Sequence, residues 1–270
     1  MERYIRNNPH PWTAVGTQLS QVDSTNAEVQ RRLRAAAKTG EPIPEGSSVR
    51  ADFQREGRGR HARHWEGEAG SNLAVSYALG SAGLPPERLF ALSQNLALVV
   101  RDLVEELTAA RGARVKWPND VYLGERKVAG LLIETTLGPG GVACVVAGIG
   151  LNVNQTDFAT APQATSLRLA GARRLDVDEV WRHLTTRLQA AHERLRGLQS
   201  RGDLYPLQRD YHAQLYGLGH LGRYRAADGE AFAAKLAGVG GDGRLLLERD
   251  GEQRAYTLDE VRLEQPIAYG

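Results

Sequence analysis

Residues 71–79 alternate apolar with polar side chains, and residues 128–137 and 142–149 are near-continuous apolar or β-branched runs. Strict alternation suits a strand with one face buried, and short apolar runs bounded by turn residues suit strands buried on both faces. Residues 18–22 and 48–53 are shorter stretches of the same kind. Between them the period lengthens. Val29, Leu33 and Ala36 recur at helical spacing behind Asp23-Ser24-Thr25-Asn26-Ala27-Glu28, with Gly40 to close. Thr25 and Glu28 have capping-box spacing. A second helix is expected from Pro85-Pro86 to about Arg111, on Leu89, Leu92, Leu96, Val99, Leu103 and Leu107. A third runs from Asp176 to about Gly197, and a fourth from about Leu204 to Leu215.

From about residue 218 the rhythm changes to five short strands, near 221–225, 231–239, 244–248, 253–258 and 261–263. Asp228-Gly229, Gly241-Asp242-Gly243 and Asp250-Gly251 between them are hairpin signals. The expected fold class is therefore α+β. A mixed central β-sheet flanked by helices occupies residues 1–217, and a small SH3-like β-barrel occupies 218–270.

Composition narrows this only a little. With 41% hydrophobic residues, 24% charged residues and a net charge of +2 over 270 residues, the chain can bury a core and carries no general polyanion-binding excess. Cys144 is its one cysteine and lies in an apolar run, so no intramolecular disulfide is available and a cytoplasmic protein is expected. No uninterrupted apolar stretch reaches the ~18 residues a membrane span needs.

The chemistry-bearing residues cluster in four places. Lys116-Trp117-Pro118-Asn119-Asp120 is followed by Lys127-Val128-Ala129-Gly130, and a turn at residues 123–126 would set Asp120 opposite Lys127. That pair is either a cross-strand salt bridge or part of a site for an anionic, metal-bearing substrate. Ser24-Thr25-Asn26 begins a helix, where free backbone N–H groups favour a carboxylate or polar ring; a plain N-cap is the alternative. Residues 54–65 hold Arg55, Arg58, Arg60, Arg63, His61 and His64, with Gly57 and Gly59 between them. Such a loop either forks onto phosphate oxygens or is a solvated basic loop; as a phosphate loop it would be mobile when empty and ordered on binding. Gly148-Ile149-Gly150-Leu151-Asn152 permits close approach of a flat ligand, with Asn152 to bind it, or marks a β-bulge.

Taken together, Ser24-Thr25-Asn26, Gly57-Arg58-Gly59-Arg60, Lys116 to Asp120, Lys127 to Gly130 and Gly148 to Asn152 resemble, in order and spacing, the motifs of the biotin protein ligases. The likeness runs from about residue 18 to about 265. It implies the class II synthetase-like catalytic fold with a small C-terminal barrel, and a two-step reaction. Biotin is activated by ATP and Mg²⁺ to biotinyl-5′-AMP, then transferred to a lysine of the biotin carboxyl carrier protein of acetyl-CoA carboxylase. Carried over residue by residue, the resemblance gives biotin to Ser24, Thr25, Asn26, Gln54, Arg58, Gly59, Arg60, Lys127 and Gly130. It gives the nucleotide to Arg58, Arg63, Trp65, Asn119 and Asn152, catalysis to Lys127, Arg60 and Asp120, and the metal to Asp120. Ala62 stands where the family has a glycine. Only 23 residues precede Ser24, without a helix-turn-helix pattern, so a ligase that does not bind DNA is expected. The resemblance also implies a homodimer, which no residue pattern here specifies.

Two rival readings stand. A lipoate–protein ligase uses the same acyl-adenylate chemistry, but its Arg-Arg-x-x-Gly-Gly-Gly segment is not found. A nucleic-acid-binding module would want a larger basic excess and more stacking aromatics than 6%.

Overall fold

A computed structural model of the chain describes residues 4–59, 64–108, 112–138 and 141–264. In chain order its elements are β1 (Ile5–Arg6), β2 (Gly16–Val22), α1 (Thr25–Thr39), β3 (Ile43–Pro44), β4 (Ser48–Gln54), β5 (Leu73–Leu79) and α2 (Phe90–Thr108). There follow β6 (Ala113–Lys116), β7 (Asp120–Leu123), β8 (Arg126–Gly138), β9 (Gly141–Leu151), α3 (Val177–Ser200) and α4 (Tyr205–Ala213). The last five are β10 (Leu221–Ala226), β11 (Ala231–Val239), β12 (Leu245–Arg249), β13 (Glu252–Tyr256) and β14 (Val261–Leu263).

The central sheet has seven strands in the order β2-β4-β5-β9-β8-β7-β6. Only β2 and β4 run parallel; the other neighbours are antiparallel, so the sheet is mixed as expected. Its two faces are used differently. Leu73, Val75, Tyr77 and Leu79 of β5 join Val145, Ala147, Ile149 and Leu151 of β9 in a core with the buried residues of α2 and α3. The alternate residues Ala78, Cys144 and Val146 pack on Val29 and Leu33 of α1. Thus α2 and α3 cover one face, and α1 covers only part of the other.

Two local expectations are corrected. Pro86–Arg88 forms a separate 3₁₀ turn, and α2 starts at Phe90. No capping box forms at α1: the Ser24 side chain makes no cap bond, and Glu28 pairs instead with Arg31 and Arg32. The orphan Thr25 N–H donates to Gln54 Oε1 of β4, 2.8 Å away. At its other end α1 closes as expected, with Gly40 left-handed and its N–H on the Ala36 carbonyl.

The C-terminal strands form a five-stranded antiparallel sheet in the order β13-β12-β11-β10-β14. Asp250 and Gly251 both take positive φ between β12 and β13, as a tight two-residue hairpin demands. This sheet docks on the β6–β7 edge of the central one. Trp117 Nε1 donates to the Gly243 carbonyl (2.9 Å), and Tyr211 of α4 donates to the Pro118 carbonyl (3.3 Å). Among the described residues, no helix is long and apolar enough to cross a membrane.

Candidate active site

The face that α1 leaves open is floored by glycine. Gly130 of β8 and Gly150 of β9 are direct cross-strand partners, and Gly148 lies two residues along on the same face. Each has something resting where a side chain would stand. A Cβ on Gly150 would be 2.5 Å from the Trp65 ring, one on Gly148 would collide with the Asn26 amide, and one on Gly130 would be 2.8 Å from Lys127 Nζ. Above this floor, between the two sheets, is a cavity of about 710 Å³. That lies in the usual range for a small-molecule site, roughly 300–1,000 Å³.

One end is polar and buried. Ser24, Thr25 and Asn26, at the start of α1, are all 3–4% exposed and line the cavity with Gln54. Gln54 Oε1 receives both the Thr25 N–H (2.8 Å) and the Thr25 hydroxyl (3.1 Å), which leaves its NH₂ as the donor end. The buried Ser76 hydroxyl of β5 lies 2.7 Å from Thr25 Oγ1 and 2.5 Å from Asn26 Oδ1. Asn26 Nδ2 donates to Glu134 Oε2 (2.6 Å) and to the Leu132 carbonyl (3.2 Å). An amide NH₂ has two protons, and both are used. Thr25 and Asn26 therefore offer oxygen lone pairs, and Gln54 offers N–H. A flat group with N–H donors flanking a carbonyl complements this wall.

Farther along stands the pair the motif spacing promised, in a different register. The turn sets Leu123 opposite Arg126 and so Tyr122 opposite Lys127, and beyond a bulge at Val121–Tyr122 it is Gly130 that faces Asp120. The Lys127 side chain then reaches back across Gly130 to make a 2.7 Å ion pair with Asp120 Oδ1. Any side chain at 130 would lie in that path. Lys127 Nζ is also 5.5 Å from the centre of the Trp65 ring, within cation–π range. The basic loop is zipped at its base: Arg58 bridges His64, and the Trp65 N–H donates to the Gly57 carbonyl. Arg58 and Gly59 line the cavity, as expected. Arg60, Ala62 and Arg63, and so the expected ordering of the loop tip, lie outside the described residues.

Asn119 lines the cavity while its NH₂ donates to the Leu131 carbonyl, which ties the Trp117–Asn119 turn to β8. Asn152 is corrected. It is 3% exposed, does not line the cavity, and donates Nδ2 to the Thr165 carbonyl (2.9 Å). With the Leu167 N–H on its carbonyl (3.0 Å), it pins the 165–167 segment to the end of β9. The sequence reading also missed Ser76 and Glu134, whose partners lie 50 or more residues away, and Tyr216, Arg225 and Arg262, which line the end of the cavity beside the C-terminal sheet together with Lys116 of the central motif.

Among the described residues no three His, Cys, Asp or Glu side chains converge on a metal position. A magnesium ion carried in on nucleotide phosphates needs only one or two protein carboxylates, and Asp120, which lines the cavity paired with Lys127, is the carboxylate present there.

The comparisons with known proteins agree with this geometry. A model of the biotin/lipoate A/B protein ligase family matches residues 21–152. The biotin–[acetyl-CoA-carboxylase] ligase of Mycobacterium tuberculosis is 32% identical over 245 residues, covering 90% of this chain and 86% of that protein. The bifunctional ligase/repressor BirA of Bacillus spizizenii is 33% identical over 223 residues; the match spans 80% of this chain but only 66% of that longer protein. The solved biotin protein ligase of Aquifex aeolicus, in complex with biotin and ATP, superposes with a TM-score of 0.75 at 26% identity, over 93% of this chain and 98% of that one. With relatives matched over most of their length and the glycine-floored cavity intact, the chain belongs to the biotin protein ligases of the biotin/lipoate A/B protein ligase family.

Proposed function

We propose that this chain is a biotin–[acetyl-CoA-carboxylase] ligase, which activates biotin with MgATP and transfers it to a lysine of the biotin carboxyl carrier protein. The observation that carries the reading is the hydrogen-bond polarity of the cavity's closed end. Lone pairs of Thr25 and Asn26 beside the Gln54 NH₂ complement a cyclic urea, which has two N–H groups about one carbonyl. The dithiolane of lipoate offers none of these groups and would leave the wall unsatisfied. The names of the tuberculosis relative and the Aquifex complex support the same substrates.

In the first step a biotin carboxylate oxygen attacks the α-phosphorus of ATP, the α–β P–O bond breaks, and pyrophosphate leaves. Two anions must meet, so charge neutralisation and alignment dominate. Lys127 takes the reacting carboxylate and α-phosphate. Arg58 covers the adenylate phosphate, a role the sequence also assigns to Arg60 and Arg63. Trp65 and Asn119 border the nucleotide, and Asp120 is the residue that would hold its Mg²⁺. In the second step an uncharged lysine amine of the carrier attacks the acyl carbon, a C–N bond forms, and AMP leaves with the anhydride oxygen. Asp120 orients that amine. The five C-terminal strands are read as the small SH3-like barrel beyond a boundary near residue 217, closing the nucleotide end of the cavity.

Pyrophosphate exchange into ATP, measured with biotin and with lipoate, tests the reading. Biotin-dependent exchange supports it; exchange with lipoate alone makes the chain a lipoate ligase, and silence with both removes the adenylation step altogether.

A further inference from the structure

Asn26 touches the ligand end of the cavity, but its own orientation is set from behind. An asparagine amide can turn over and exchange donor for acceptor with almost no change of shape. Here both groups that meet its nitrogen can only accept: the Leu132 carbonyl at 3.2 Å and the Glu134 carboxylate at 2.6 Å. The Ser76 hydroxyl, 2.5 Å from its oxygen, has a single proton shared between Asn26 Oδ1 and Thr25 Oγ1 (2.7 Å), so it supports this orientation while the two acceptors at the nitrogen impose it. Glu134 lies in the middle of β8, half-buried, where a strand residue facing a helix terminus would ordinarily be apolar. It makes no contact with the cavity in its own right.

We propose that Glu134, seconded by Ser76, is a specificity-determining positioning residue that locks the Asn26 amide with its oxygen toward the ligand. The locked amide admits ring acids that present an N–H at the closed end, and rejects those that present only acceptors or sulfur. The inference rests on the biotin-activating reading above and deepens it. The chain of effect is specific. A charged acceptor takes one amide proton, a backbone carbonyl takes the other, and no proton remains to repel a ureido N–H. Without Glu134 one Asn26 proton is unpaired, and turning over to satisfy it would set donor against donor.

Pyrophosphate exchange into MgATP, titrated with biotin and separately with ATP, tests this in the wild-type chain, Glu134→Ala, Glu134→Gln, Asn26→Ala and the Asn26→Ala/Glu134→Ala double variant. Glu134→Ala is expected to raise the KM for biotin about tenfold, the size of a lost hydrogen bond to a charged group. The KM for ATP should stay within about twofold, as for a site that shares no partners with the change. Glu134→Gln keeps an acceptor oxygen and should recover most of the loss. In the Asn26→Ala background, removing Glu134 should change nothing more. Ser76→Ala deletes one oxygen and keeps the fold; it should raise the KM for biotin about fivefold, which keeps the inference testable if Glu134→Ala does not fold. An unchanged KM for biotin, a parallel rise for ATP, or a full additional loss in the double variant overturns the inference alone. A wild-type chain with no biotin-dependent exchange overturns it together with the reading on which it rests.

Discussion

The two faces of β5 and β9 are made by the same strands and obey opposite rules. Toward α2 and α3 the strands present Val75, Tyr77, Val145 and Leu151, none more than 1% exposed. On the opposite face the same strands present Ala74, Ser76, Gly148 and Gly150, of which the two glycines line the cavity. The first face maximises buried apolar volume. The second gives that volume up, so that Asn26, Trp65 and a ligand come within contact distance of the backbone. The packed face holds the sheet rigid, and that rigidity lets the bare face keep the shape of a ligand. Chemistry sits where burial was surrendered.

The largest expected effect breaks the bare face. Gly150→Val would place a branched side chain in the space of the Trp65 ring, 2.5 Å from its atoms, and push that ring into the cavity. Biotin-dependent pyrophosphate exchange should fall by well over 10²-fold, because displacements of about 1 Å already cause losses on that order. Thermal melting should move little; unchanged exchange would show that the floor need not be bare. Next comes Lys127→Ala, which removes the cation without touching the floor. Exchange should drop on the order of 10²-fold, as when a single oxyanion donor is deleted, with the KM for biotin less affected. The packed face should answer in the opposite sense. Leu96→Ala on α2, at a fully buried position, should lower stability by about 2–5 kcal/mol in denaturant melts while the folded enzyme keeps its KM for biotin. A raised KM with unchanged stability there would erase the contrast between the faces.

Much of this contrast was legible in the chain. The strand at 71–79, the buried hydrophobic face of α1 and the five C-terminal strands follow from local periodicity, which survives folding because each element buries its own apolar side. The clustering of Ser24, Thr25, Asn26, Gln54, Arg58, Trp65, Asp120, Lys127 and Gly130 on one cavity was legible from motif order. What periodicity could not supply was anything decided across strands. The turn already pairs Lys127 with Tyr122, two residues short of Asp120, and the bulge at Val121–Tyr122 then moves the partner of Asp120 one further, to Gly130, a slip that no local signal announces. Gln54 replaces the expected capping box because a side chain 29 residues away reached Thr25 first. Asn152 was drawn toward the ligand by its place in a glycine-rich turn, but a nearer carbonyl, Thr165, claimed its amide. Glu134 and Ser76 look like ordinary strand residues until Asn26 is set between them.

The smallest expected effect concerns a charged cluster on the packed side, where chemistry-bearing residues serve the fold. Glu45 is 6% exposed, with His192 Nε2 at 3.1 Å from Oε1 and Arg196 at 2.6 Å from Oε2. The Gly80 N–H also donates to it (3.0 Å), and Trp12 lies against the His192 ring at 5.5 Å. Burial alone would push this carboxyl up, but its hydrogen bonds and attraction to His192 and Arg196 prevail and hold it down at about 2. The unfolded chain therefore binds the proton more tightly than the folded one. The stabilisation is complete above the ordinary carboxyl value of 4.5 and drains away as the pH falls from there toward 2. Glu45→Gln has no carboxylate to protonate and leaves Arg196 without its anion, so it should be less stable than wild type at neutral pH. The gap should narrow steadily across that acid window in paired denaturant melts, with the KM for biotin unmoved at neutral pH. A gap that stays constant from pH 6 to pH 3, or widens, would show that the cluster holds its charge by other means. A biotin KM that follows the substitution would mean that the packed face reaches through the sheet into the site, and the division between the faces would have to be redrawn.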